Sequence, residues 1–349
     1  MKRSQCIGLA AVALLSMQNF FAQTLTRAQE RAKAKAQNVP EIAYDSVPNF
    51  LKLPSGTYFG ETVGVATNSK GHVFVYTRSY DTRLFEFDAT GKFIKEIGEG
   101  LYGFAFAHAV RVDKQDNIWA VDEGTNMVIK FSPEGKVLMV LGHRPESGQV
   151  PVTAGFGVTP PAAEPYTFDR QTDVAFDAQG DIFVSDGYGN SRVVKYDKNG
   201  RYIASVGSKG SEPGQLNIPH TIAADANGNV YVGDRTNSRI QVFDNDLKQK
   251  AIYDKVGAPW AVCITPGPHQ YLYSSNSNPD SNNSEIAAVT GEVYKMELDG
   301  TILGKFGKAG TQLGEFRTIH EMDCRSENEI YTAEINRWNV QKIVLHPKK

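Results

Sequence analysis

The chain of 349 residues has only three cysteines, Cys6, Cys263 and Cys324, too few for the disulfide framework of a small secreted domain. It also lacks an excess of charge: 37 basic residues stand against 39 acidic ones, a formal net charge of −2. Nothing in that balance calls for a nucleic-acid backbone or an anionic membrane surface as partner. Beyond the N-terminus there is no long apolar run, so no membrane span is expected. Histidine is scarce, at seven residues, and the place of each one therefore carries weight.

What is present describes a soluble, turn-rich globular protein. Hydrophobic residues make up 41% and charged residues 22%, with 32 Gly and 16 Pro, a composition that excludes global disorder, collagen and coiled coil. At the N-terminus Lys2 and Arg3 precede an apolar run, Ile7 to Leu15, and then Asn19-Phe20-Phe21-Ala22. That is the layout of a secretory signal, too short to span a bilayer. Residues 1–22 are expected to be a signal peptide and 23–38 a charged, alanine-rich leader, so that the mature protein is exported to a periplasmic or extracellular space. Cys6 would leave with the signal. Whether Cys263 and Cys324 pair is open at this level.

Internal repetition decides the fold. Residues 172–207 read TDVAFDAQGDIFVSDGYGNSRVVKYDKNGRYIASVG, and 220–243 and 108–142 repeat the pattern. A fainter copy runs over 63–98, and degenerate copies start at Trp260 and His320. Each unit holds short runs rich in Val, Ile, Phe and Tyr, separated by turn pairs such as Gln179-Gly180 and Asn227-Gly228, with no helical periodicity. A four-stranded meander repeated every ~40–50 residues is the signature of a propeller blade. Six copies predict an all-β, six-bladed β-propeller over residues 39–349. The last copy has no room for its outer strand, so Val39 to Leu53 is expected to supply it and close the ring. Two insertions, 143–168 and 276–292, are expected to be loops at one end.

Aligned on the Asp or Asn that opens the first hairpin (Asn68, Asp113, Asp177, Asp225), the units share a position five residues earlier. It holds Val63, His108, Thr172, His220, Trp260 and His320 in order, so histidine occupies alternate blades. In a closed ring of six, alternate blades lie ~120° apart, and three imidazoles can converge on the axis. Three His ligands with an open fourth position is the arrangement of a catalytic zinc. A fold-wide capping role for His is disfavoured, because the same slot accepts Val, Thr and Trp. The other four histidines read as solvated. Asp186, Asn190 and Arg192 recur as Asp234, Asn237 and Arg239, so they read as scaffold. Arg78, Tyr188 and Arg235 instead break the repeat just after second strands. Beside a metal they suggest a base and two binders of carboxylate or oxyanion.

These residues, above all Ser185-Asp186-Gly187-Tyr188-Gly189-Asn190-Ser191-Arg192, Ile218-Pro219-His220 and Gly233-Asp234-Arg235, resemble the peptidyl-α-hydroxyglycine α-amidating lyases (peptidylamidoglycolate lyases). The wider relatives are NHL-repeat proteins, most of which only bind partners. The resemblance implies zinc at His108, His220 and His320, catalytic roles for Tyr188 and Arg78, and substrate binding by Arg235 and Arg78. It also implies a calcium ion deeper in the channel at Val65, Val110 and Glu321, where the lyases carry Asp in place of Glu321. The implied reaction cleaves the C–N bond of a peptide ending in α-hydroxyglycine, giving an amide and glyoxylate. Two other readings stay open on the sequence: an exported NHL-type binding platform, and a propeller metal-dependent hydrolase or lactonase. Lactonases of this shape usually centre on calcium with Glu, Asn and Asp, whereas three His favour zinc.

Overall fold

A computed structural model describes residues 35–36, 38–144, 163–278 and 290–346. The expected signal peptide, most of the leader and much of both insertions lie outside those residues. The described chain forms six four-stranded antiparallel sheets. Blade 1 runs Glu61–Thr67, Val73–Arg78, Arg83–Phe87 and Phe93–Ile97, and blades 2 to 5 repeat the meander from first strands Ala107–Val112, Asp173–Phe176, Pro219–Ala224 and Pro259–Ile264. Blade 6 is built from Ile319–Ser326, Glu329–Glu334 and Asn339–His346, and its outer strand is the N-terminal Ala43–Val47. Tyr44 faces Leu345 and Ser46 faces Ile343 across that seam. The ring therefore closes by pairing the two ends of the chain, as the short last repeat predicts, and no blade is left with a missing outer strand.

The repeated Asp has a local cause. Asp177 Oδ1 accepts the backbone N–H of Gln179 and of Asp181 at 2.9 Å each, and Asp225 does the same for Asn227 and Asn229. Asn68 and Asp113 repeat the device in blades 1 and 2. The side chain thus satisfies donors that the tight hairpin leaves unpaired. Between blades, buried side chains such as Tyr76, Trp119, Phe183 and Tyr294 fill the core. Asp186 holds Asn190 and Arg192, and Asp234 holds Asn237 and Arg239. Each arginine also donates to three carbonyls of the loop before its blade. These residues are scaffold.

First strands of neighbouring blades pack side by side around the central channel. Cys263 and Cys324 form a disulfide across blades 5 and 6, with a sequence separation of 61. The question left open by the sequence is answered: the two lie on inner strands of neighbouring blades that pack side by side.

Candidate metal centre

Histidine reaches the axis through a defect in the sheet. The pairing of each first strand with its neighbour skips a residue at Ala107/Ala109, at Pro219/Thr221 and at Ile319/Glu321. The residues skipped are His108, His220 and His320. A bulge re-aims a side chain that regular pleating would place elsewhere. The three rings meet in a nearly equilateral triangle, with centroids 4.7, 4.6 and 4.8 Å apart. All three residues are buried.

One orientation is imposed on all three. His108 Nδ1 lies 2.5 Å from the carbonyl of Thr172, His220 Nδ1 2.7 Å from that of Trp260, and His320 Nδ1 2.8 Å from that of Val63. Thr172, Trp260 and Val63 are the residues at the same repeat position in the next blade. Because a carbonyl only accepts, each Nδ1 must carry the hydrogen, which leaves each Nε2 a lone pair. Nε2 of His220 and of His320 is buried without a hydrogen-bond partner. The potential ligand atoms of the three all lie within 4.8 Å of one another. Burial first, then the charges of Arg78 and Arg235 and the neighbouring rings, hold the imidazoles well below their ordinary pKa. Neutral rings, oriented by carbonyls behind them, with unpaired nitrogens turned inward, fit a zinc-type ion.

The residues that break the repeat gather around this triangle. Tyr188 is half-buried, and its hydroxyl lies 3.3 Å from His108 Nε2. Arg235 bridges two rings, its guanidinium carbon 4.3 Å from the Trp260 centroid and 5.5 Å from that of Tyr188. Trp260 in turn lies 4.9 Å from His220 and 5.9 Å from His320, between centroids. Arg78 sits 4.0 Å over Phe106 and is fixed by Glu61 at 2.9 Å, the Ala107 carbonyl at 3.2 Å and Glu123 at 3.4 Å. Burial raises the Tyr188 pKa and Glu123 adds to the rise, while Arg235 and Arg78 oppose it.

Three neighbours escape the sequence argument. Glu123 follows the second strand of blade 2, the same slot that yields Tyr188 and Arg235, so the same rule would have found it. Burial pushes its carboxyl up to about 7 against the pull of Arg78 and Arg170, and its Oε2 is buried without a partner. Arg170, 5.2 Å over the Tyr188 ring, has no repeat signal. Trp260 shows only as the non-histidine occupant of the shared slot. His72, His269 and His346 pair instead with Glu86, Glu297 and Asp45, away from the centre.

The positions expected for calcium are differently employed. Val65 and Val110 donate amide N–H groups to Glu321 Oε2 at 3.0 and 3.1 Å. The Arg111 guanidinium lies against the same carboxylate, with Nε 2.9 Å from Oε1. This arrangement does not fit a cation held by those three residues.

Comparison with known proteins agrees with the fold and the resemblance. The NHL repeat pattern matches residues 216–243. The mouse peptidyl-glycine alpha-amidating monooxygenase is 27% identical over 88% of this chain and 33% of its own length. A peptidyl-alpha-hydroxyglycine alpha-amidating lyase of Drosophila melanogaster is 28% identical over 73% of this chain and 47% of its own. The chain thus spans about a third to a half of the length of these curated relatives. Human NHL repeat-containing protein 3 is 28% identical over 86% of the chain and 74% of its own length. Among solved structures, a streptogramin B lyase superposes with a TM-score of 0.54 at 16% identity, over 87% of this chain and 98% of that one, a likeness of fold alone. The chain is a six-bladed β-propeller of NHL-type repeats whose sequence resembles, over most of its length, the peptidyl-α-hydroxyglycine α-amidating lyases.

Proposed function

We propose that the protein is an exported, zinc-dependent lyase that cleaves the C–N bond of peptidyl-α-hydroxyglycine-like substrates to an amide and glyoxylate. The observation that carries this reading is the triangle of inward-facing Nε2 atoms with the Tyr188 hydroxyl 3.3 Å from one of them and two arginines around it. His108, His220 and His320 would hold the ion. When bound, zinc supplies Lewis acidity toward a substrate hydroxyl and positive charge that favours a tyrosinate.

The chain's own groups do the rest. Arg235, braced by Trp260, and Arg78, braced by Glu61 and Phe106, bind the substrate carboxylate through forked donors. Tyr188 Oη takes the proton of the α-hydroxyl. The hydroxyl-bearing carbon becomes the aldehyde of glyoxylate as its bond to nitrogen breaks, and the nitrogen needs one proton to leave as a neutral amide. Glu123, its carboxyl pushed up to about 7 by burial, is partly protonated at neutral pH beside Arg78 and is the donor in this reading.

This gives Glu123 a pH signature. Its acid form is present below about pH 7, so turnover is expected to fall as pH rises through that region. In Glu123→Gln the rate at pH 6 should drop by about 10- to 100-fold and the alkaline limb should vanish. An unchanged pH–rate profile in that variant would remove Glu123 from the proton path.

The reading itself is tested by mixing the zinc-loaded mature protein with α-hydroxyhippurate and following glyoxylate. Release that stops after chelation and returns with zinc supports it. No release from protein shown to hold zinc would leave the metal site and dismiss this substrate class.

A further inference from the structure

A second polar cluster lies beside the histidines in the channel, built from Arg111, three residues after His108, with the buried carboxylates Glu321, directly after His320, and Asp173, directly after Thr172. Arg111, on the inner strand of blade 2, sends its guanidinium across the axis. Its Nε and Nη2 engage Asp173 of blade 3 at 2.9 and 2.6 Å. Nη1 donates to the Met322 carbonyl of blade 6 at 2.9 Å. Nη2 also lies 3.5 Å from Thr221 Oγ1 of blade 4 and 3.5 Å from the Val262 carbonyl of blade 5. Glu321, ion-paired with Arg111, ties in blade 1 through the Val65 amide. Asp173 further accepts from the Thr221 hydroxyl and the Ile222 amide. One guanidinium and its two carboxylates thus connect all six inner strands.

The neighbouring sequence is adapted to this node. A Cβ added at Gly64 would lie 2.8 Å from Glu321 Oε2 and 2.8 Å from the Val110 nitrogen, so glycine there makes room for the longer acidic side chain. Glu321 reaches further than Asp would, and its Oε1 arrives 2.9 Å from Arg111 Nε. The Nε hydrogen goes to Asp173, so this contact is one of charge and not of hydrogen bonding. On the side away from the histidines, Arg111 borders a cavity of about 280 Å³ that opens beside Asp323, Arg325 and the disulfide. Solvent ions have a way in.

We propose that Arg111 is the resident cation of this channel: its guanidinium occupies the place where the resemblance implies calcium, and the propeller is pinned at its axis without a divalent ion. A monovalent, planar group with five donors suits two carboxylates, carbonyls and a hydroxyl arranged around it. A calcium ion would need six to eight oxygen ligands and would meet the guanidinium's charge. The proposal is independent of the lyase reading.

The test uses the full mature chain. Calcium content by mass spectrometry and Tm are measured in 2 mM calcium and after chelator treatment and dialysis. The parent is expected to hold well under one calcium per chain and to change Tm by no more than about 1 °C. Near-stoichiometric calcium whose removal lowers Tm by more than about 5 °C would overturn the proposal. In Arg111→Met the two carboxylates lose their cation, so Tm without calcium should fall by about 5–10 °C, and added calcium should restore part of it. An Arg111→Met protein with the parent's Tm in both conditions would contradict the node. Should that variant fail to fold, Arg111→Lys keeps the charge but loses the fork. It should show a smaller Tm loss, and none at all would equally contradict the proposal.

Discussion

His220→Ala is expected to lose zinc and, with it, all measurable lyase turnover. Removing a mere orienting partner of a ligand commonly costs 10–100-fold in metal affinity, so loss of a ligand from a set of three should weaken binding by more than about 100-fold. The ring is buried and its Nε2 has no partner in the protein, so its truncation removes an unpaired lone pair and not a structural hydrogen bond at that atom. The lost bond from Nδ1 to the Trp260 carbonyl should cost modest stability, visible as a small drop in Tm. Metal analysis after dialysis separates the two effects. A variant that keeps one zinc per chain would show that the triangle is not the metal site. His72→Ala, altering a histidine paired with Glu86, serves as the control and should behave as the parent.

Tyr188→Phe isolates the chemistry from the metal. The ring contacts with His108, Arg235 and Arg170 survive in phenylalanine, so packing and zinc content should be retained. Only the proton acceptor goes, and kcat should fall by about 10²–10⁴-fold with little change in KM. Burial raises the phenol pKa in the protein alone, so the tyrosinate depends on positive charge nearby. Arg235 and Arg78 supply part of it. Full activity in Tyr188→Phe would exclude this residue as base and shift attention to a water at the centre.

Most of the architecture was legible because a propeller writes itself six times. The hairpin Asp recurs for a reason that the backbone N–H bonds of Asp177 and Asp225 make plain, and it supplied the alignment on which the histidines fell into alternate blades. The end-to-end closure was legible from the short sixth repeat. What the alignment could not display is that the shared slot is a bulge, nor that each imidazole is held by the carbonyl of the same slot in the next blade. Both are relations between blades, and one blade's sequence does not encode them. Glu123 was within reach of the rule that singled out Tyr188 and Arg235, since all three follow a second strand. Arg111 was not. Its repeat position, on an inner strand, holds Ala66, Ala175 and Ala223 in other blades, and its partners Asp173, Thr221, Val262 and Met322 come from four other blades, which no single repeat names. The expectation for Val65, Val110 and Glu321 rested on resemblance alone, and the resemblance carries no information about a guanidinium brought in from a neighbouring strand. Pairing of Cys263 with Cys324 likewise depends on inner strands of neighbouring blades packing side by side.

The measurement that tests the central claim most directly is the identity of the product that leaves with glyoxylate. α-Hydroxyhippurate is incubated with the zinc-loaded protein and both products are quantified by chromatography and mass spectrometry. Cleavage between nitrogen and the hydroxyl-bearing carbon yields benzamide and glyoxylate in equal amounts, and that is the result predicted here. Benzoate in place of benzamide would mean that the acyl–nitrogen bond is hydrolysed and that the protein is a hydrolase. No product from protein that holds no zinc would contradict the account as a whole and favour a propeller that binds without catalysis.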